Sequence, residues 1–182
     1  MFMYRAIRHR RLKAATNYKR RVAALKGGMK RLVVRKSNRS ITLQIVEYGK
    51  DGDRVVASTS SRELKGIGWE PRCNIPTAYL TGMLLARKAD RDSEYILDIG
   101  LYRPVKGSLI FAAAKGFSDS GAKLRNSIEF DEKRLAGEHI AKYAALAGNE
   151  GNQFSAYAKA GFDVKEMQNK FNEAKRQLSA AK

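Results

Sequence analysis

The chain has 182 residues, 43% of them hydrophobic, a formal net charge of +18 and a pI of about 10.2. That is apolar material enough for one packed core plus extensions, which excludes a wholly disordered basic tail. So large a cationic excess points to a polyanionic partner, nucleic acid first and an anionic membrane surface second.

The charge is unevenly spread. Residues 1–39 hold fourteen of the 36 Lys and Arg and no Asp or Glu, whereas residues 40–182 net only +4. A nearly balanced domain therefore carries a cationic arm and hairpin, a concentration that a solvated surface on an ordinary protein rarely shows. The single cysteine, Cys73, excludes an intrachain disulfide and a Cys-based metal framework, and suits a reduced, cytosolic protein. No apolar run is long enough to span a bilayer. The start of the chain lacks the apolar segment of a secretory signal, although an Arg-rich, acid-free start is shared with transit peptides.

Residues 1–29 form the arm. Leu12, Ala15, Tyr18, Val22 and Leu25 recur every three or four residues, which predicts a helix from about Arg10 to Lys26, stopped by Gly27-Gly28. Lys13, Lys19, Arg20 and Arg21 surround its thin apolar stripe. A helix so short and self-repelling is marginal alone and is expected to order along a phosphate backbone.

Lys30 to Tyr48 reads as two strands with a turn at Ser37-Asn38-Arg39-Ser40. Ile41, Leu43 and Ile45 alternate on one face of the second strand; Leu32 and Val34 share a face of the first. Arg31, Arg35, Lys36 and Arg39 cluster beside the turn, a rigid edge suited to phosphate. Gly49 to Gly52 makes a second turn, and Arg54 to Ser60 a third strand, giving an antiparallel meander. Residues 61–74 read as an irregular connection in which Trp69 packs or stacks on a base, packing being the commoner use.

Asn74 and Pro76 start an almost wholly apolar helix, expected to lie against the sheet. Tyr95 to Leu101 reads as a buried central parallel strand. The loop Gly100 to Lys106 leads into a helix from Gly107-Ser108 to about Ser120. Arg103, Lys106 and Ser108 at that N-terminus, with the Tyr102 ring, form a second candidate phosphate or base contact. Ser127 to Phe130 suggests a short fifth strand, and Asp131 caps a predicted helix to about Leu146, with Arg134–Glu138 and Glu138–Lys142 pairs. Residues 148–161 read as a linker. Val164, Met167, Phe171, Ala174 and Leu178 then form a narrow stripe that must dock on the core or on a partner. The domains are thus an arm (1–29), an α/β core (30–147), and a linker with a C-terminal helix (148–182).

No catalytic constellation is visible. His9 and His139 are far apart in sequence, and no Walker loop, GxSxG or paired metal-ligand spacing occurs. Meander, helix, strand, helix suits a ribonuclease-H-like mixed sheet, so a nuclease is one rival reading, beside a non-ribosomal, nonspecific basic binder of nucleic acid or a membrane surface. Two-metal chemistry needs converging carboxylates. The first strand is cationic instead, and Asp98 is the only acid in the central strand. Asp98 is better read as a buried acid bonded to backbone amides or an arginine. Neither metal, cofactor, small-molecule substrate nor membrane is expected.

Arg31–Asn38 (RLVVRKSN), the QIVE of the second strand, Pro76–Leu85 (PTAYLTGMLL), Leu97–Ser108 (LDIGLYRPVKGS) and Gly137–Ala144 (GEHIAKYA) resemble the archaeal form of the large-subunit ribosomal protein eighteen family. The similarity runs from Arg5 to the last helix. It implies a non-catalytic ribonuclease-H-like α/β fold with a basic arm and C-terminal extension. It also implies binding to 5S rRNA, attachment to 23S rRNA in the central protuberance, and universal large-subunit protein five as a neighbour. The contacts carried over are the arm (Arg5, Arg8, Arg10, Arg11, Lys13, Tyr18, Arg20, Arg21, Lys26), the hairpin (Lys30, Arg31, Arg35, Lys36, Ser37, Asn38, Arg39) and the loop (Tyr102, Arg103, Lys106, Ser108).

Overall fold

The structure, a computed structural model, describes residues 9–147 and 152–180; the side chains of Arg10, Arg11, Ala147 and Asn152 lie outside that description. The arm forms two short helices, α1 (His9–Leu12) and α2 (Tyr18–Leu25), not one helix over Arg10–Lys26. Ala14 turns the chain at φ 48°, and Asn17 restarts it, its side chain accepting the Arg20 amide at 3.1 Å. Asn competes for backbone donors inside a helix and favours caps, so the apolar spacing is overridden there.

β1 (Lys30–Lys36) and β2 (Ile41–Gly49) form the expected hairpin, and β3 (Gly52–Ser60) completes the meander. Leu32, Val34, Ile41, Leu43 and Ile45 are buried on one face of it, as period-2 alternation requires. β4 (Glu94–Asp98) lies parallel to β1 on its free side, and β5 (Lys123–Leu124) parallel to β4. The order of this mixed sheet is β3-β2-β1-β4-β5. β4 is shorter than the expected Tyr95–Leu101, and only Tyr95 in it is fully buried, because one of its faces looks onto an open cleft. The fifth strand is Lys123–Leu124 and not Ser127–Phe130; Ile128 and Phe130 instead pack against the core as partly buried side chains.

α3 (Ile75–Ala86) begins where Asn74 accepts the Thr77 amide at 3.1 Å, and it is buried on nearly every side. α4 (Leu109–Asp119) crosses it so closely that the backbones touch. A Cβ on Gly82 would strike the Ala113 carbonyl, and one on Gly116 the Tyr79 carbonyl. The helix predicted from Asp131 to Leu146 is two, α5 (Glu132–Leu135) and α6 (Glu138–Ala147), broken at Gly137. The Glu138–Lys142 pair forms at 2.6 Å, but the break separates Arg134 from Glu138. Ala144 is buried on α6, whereas Tyr143 stays 46% exposed.

Residues 148–151 of the expected linker lie outside the described residues. The chain beyond them is folded onto the core. Tyr157 in α7 (Ser155–Lys159) accepts a hydrogen bond from Asn74 Nδ2 at 2.7 Å, and the Ala156 carbonyl accepts one from Arg72 at 2.7 Å. In α8 (Met167–Ala180), Met167, Phe171, Ala174 and Leu178 are buried, so the stripe docks internally. Trp69 is a packing anchor: it is 1% exposed, donates to Thr77 Oγ1 at 2.9 Å, and meets Phe162 edge-on at 5.4 Å. Among the described residues no helix is long and apolar enough to cross a membrane.

The α3–α4 contact can be tested by adding a methyl group. Gly82→Ala forces backbone from backbone and should cost about 3 kcal/mol, the upper end of overpacking. Gly66→Ala, with open space around the added methyl, should cost far less in the same urea titration. Equal midpoints would show that the helices do not meet there.

Candidate nucleic-acid interface

The face of the sheet away from α3 and α4 carries a chain of alternating charges. Arg31 in β1 is only 3% exposed. Its Nη1 donates to Asp98 Oδ2 at 3.1 Å, and its Nη2 lies 2.8 Å from Asp53 Oδ2. The second contact is ionic rather than an aligned hydrogen bond, and Arg31 Nε is buried without an acceptor among the described residues. Arg35 Nη2 donates to the other Asp98 oxygen at 3.2 Å, while its Nη1 donates to the carbonyls of Val34 and Asp98. Arg21 on α2 reaches Asp53 at 2.8 Å. Three guanidiniums and two carboxylates thus alternate as Arg21, Asp53, Arg31, Asp98, Arg35.

The chain of charges fastens the arm to the sheet. Arg20 adds to it by donating to the carbonyls of Gly100 (3.3 Å) and Tyr102 (3.1 Å). A cleft of about 750 Å³ remains between α2 and the sheet. Burial works to raise the Asp53 carboxyl, but the Arg31 and Arg21 guanidiniums outweigh it and hold the group below the ordinary aspartate value.

Because β1 and β4 are parallel, their C-terminal ends lie side by side. Tyr102 ties them: its hydroxyl donates to the Lys36 carbonyl at 3.1 Å, and the Lys36 ammonium stands 5.6 Å from its ring centroid. The hairpin turn and the loop after β4 therefore share one end of the sheet. There Lys36, Asn38, Arg39, Arg103 and Lys106 are exposed, and none of these cations pairs with a carboxylate among the described residues. Lys13 in the arm is likewise exposed and unpaired among the described residues.

The other sequence candidates divide. Arg20, Arg21, Arg31 and Arg35 are engaged by the protein, so they position the interface. Ser37 closes the turn, its Oγ accepting the Ser40 amide at 3.0 Å. Ser108 sits at the start of α4 with its Oγ buried and uncapping. Lys30 is at the far end of the sheet, 2.9 Å from Ser93 Oγ and 3.4 Å from Asp90, and Lys26, exposed, ends α2 on that side. Tyr18 is half-buried at the start of α2. Arg10 and Arg11 lie in or beside α1 with undescribed side chains, and Arg5 and Arg8 lie outside the described residues. Asp53 escapes the sequence reading. Its facing depends on the β2–β3 register, which pairs it with Tyr48 beyond a bulge at Ile45/Val46 and is not readable from spacing.

Asp98 has both carboxylate oxygens committed, to Arg31, Arg35 and the Gly100 amide. Among the described residues no group of three or more His, Cys, Asp or Glu is placed to hold a metal ion. A sheet end with clustered, carboxylate-free cations, set on a rigid charge-latched frame, has the chemistry that a structural nucleic-acid-binding protein uses. Residues 3–95 match the family described as ribosomal large subunit proteins 60S L5 and 50S L18. The chain is 40% identical to large ribosomal subunit protein uL18 of Korarchaeum cryptofilum, over 97% of this chain and 95% of that one. It is 40% identical to that of Thermofilum pendens (98% and 96%) and 38% identical to that of Desulfurococcus amylolyticus (98% and 95%).

The chain belongs to the uL18 family of large-subunit ribosomal proteins. It is accordingly a constituent of the cytoplasmic ribosome, not an enzyme, and its partners are ribosomal RNA and ribosomal proteins.

The chain of charges has two measurable consequences. Arg31→Ala should cost about 3 kcal/mol of stability, the low end for breaking a buried pair because Asp53 and Asp98 stay partly wet. Chemical denaturation measures this, and an unchanged midpoint would contradict the assignment. The Asp53 carboxyl is depressed, so its contribution is complete above the ordinary aspartate range and is lost only as pH falls through the lowered value. Acid titration of wild type and Asp53→Asn should show curves that converge only below about pH 4; convergence near pH 6 would be inconsistent with it.

Proposed function

We propose that this chain binds 5S rRNA and helps attach it to 23S rRNA in the central protuberance, beside universal large-subunit protein five. The observation that carries the reading is the Tyr102–Lys36 tie, which brings the hairpin turn and the loop after β4 to one cationic end. The strand order supports a ribonuclease-H-like sheet used without catalysis. Residues 1–29 serve as the RNA-following arm, residues 30–147 as the presenting core, and residues 148–182 as an extension. Lys36, Arg39, Arg103 and Lys106 grip phosphates, with Lys13 and the arginines before it continuing along the backbone. Asn38 and the Tyr102 ring offer contacts to 2′-hydroxyls or bases.

With about six to ten phosphate contacts, affinity should fall ~10³–10⁵-fold between 50 and 200 mM salt, the duplex-DNA relation being an upper guide for RNA. Removing Arg39 and Lys106 together should flatten that slope by about two contacts and weaken all RNAs alike. Titration of a 5S transcript against an unrelated RNA of equal length tests both points. Equal affinity for the two RNAs at near-physiological salt would refute the proposed function.

A further inference from the structure

β1, β4 and β5 run parallel, so their starts lie side by side at the end of the sheet opposite the hairpin turn. Lys123 opens β5, and the ladder is carried one step further by the Arg125 amide, which donates to the Tyr95 carbonyl at 3.0 Å. Leu124 between them packs against the core. Its two neighbours on an extended chain point the other way, so Lys123 and Arg125 are turned toward the face that carries α2. There Arg125 Nη1 stands 4.0 Å from Met29 Sδ, on the link between α2 and β1. Lys26, at the C-terminal cap of α2, opens that link. Two elements distant in sequence thus bring Lys26, Lys123 and Arg125 to one corner of the sheet.

All three are exposed, and none pairs with a carboxylate among the described residues. The acids at this end do not cancel them. Asp90 is engaged by Lys30, by the Ser93 hydroxyl and by the Asp92 amide. Asp92 and Glu94 stay unpaired, but the α3–β4 connection that holds Asp92 also carries the exposed, unpaired Arg87 and Arg91. A protein interface is built round an apolar core. Among the described residues, none of the large exposed hydrophobic side chains belongs to β5 or to the α3–β4 connection. Cations from separate elements with no apolar centre suit a phosphate backbone. At about 3.3 Å per residue, the two ends of β1, Lys30 and Lys36, are about 20 Å apart. That exceeds the Debye length of about 8 Å at physiological ionic strength. A phosphate held at the hairpin end is therefore screened from this corner, and the two ends act as separate electrostatic surfaces.

We propose that this far end is a second RNA-binding surface, at which Lys26, Lys123 and Arg125 hold phosphates of a large-subunit rRNA segment while the hairpin end holds 5S rRNA. This rests on the rRNA-binding reading above, which calls for two RNAs at once. The experiment titrates the full chain with a 5S transcript, and then the 5S-saturated protein with a large-subunit rRNA transcript, over a range of salt. An unrelated RNA of equal length is the control. The variants are Lys26→Gln/Lys123→Gln/Arg125→Gln and the charge-keeping Lys26→Arg/Lys123→Arg/Arg125→Lys. The glutamine variant should weaken binding of the large-subunit transcript and lower its salt slope by about two to three, with the 5S slope unchanged. The charge-keeping variant should show both wild-type slopes. Thermal unfolding should be the same for all three proteins, because these side chains are exposed and unpaired. An unchanged slope for the large-subunit transcript in the glutamine variant overturns the proposal. So does an equal loss on both ribosomal transcripts, since one RNA would then run from end to end of the arm. A wild type with no preference for either ribosomal transcript over the control would overturn the parent reading as well, which separates the two failures.

Discussion

The fold depends on a buried cation held between two acids. Arg31 lies under the arm, in the first strand, in contact with Asp53 from β3 and Asp98 from β4. A guanidinium taken out of water costs several kcal/mol unless it is well paired, so its partners must be in place. That requirement ties three strands together on the face opposite the helices. Arg21 and Arg35 extend the series outward, one to the arm and one to the loop after β4. The same sequence feature that marks a nucleic-acid-binding protein, a run of cations without acids, is thus partly consumed in building the protein.

This division explains how so cationic a chain presents an ordered surface. Unbalanced guanidiniums on one sheet face would repel one another and push the arm away. Asp53 and Asp98 cancel part of that repulsion and fix geometry as well as charge. Cations left without carboxylates among the described residues cluster at the sheet end, where Tyr102 joins hairpin and loop. Groups held on strands before the partner arrives lose less freedom on binding than groups on a loose tail. The helical layer covers the opposite face of the sheet: α3 and α4 touch through Gly82 and Gly116, and α8 packs Phe171 against Trp69 and Tyr79.

Much of this was legible in the residues. The hairpin, the meander, the apolar α3 with its Asn74 cap, and the packing role of Trp69 follow from period, turn chemistry and burial. Asp98 was legible as an acid satisfied by backbone amides or an arginine, because a lone buried carboxylate must be satisfied; it has both kinds of partner. The features that stayed hidden depend on register or on single backbone torsions. Asp53 acquires its partners only once β2 and β3 are aligned past their bulge. Ala14 and Gly137 break helices whose apolar spacing runs straight through them. β5 forms from two residues whose pairing with β4 leaves no periodic trace. The arginines of the hairpin read alike in sequence, yet Arg31 is buried and Arg39 is open to solvent.

Internal ion pairs hold the arm against the sheet in the protein by itself. Hydrogen exchange on the free, full-length protein reads this directly at the amides of Val22 to Leu25 in α2. Protection well above that of an unstructured chain, reduced in Asp53→Asn, is the predicted result. Exchange at the unstructured rate in the wild type would mean that the arm is not latched, and that the alternating charges do not organise the interface.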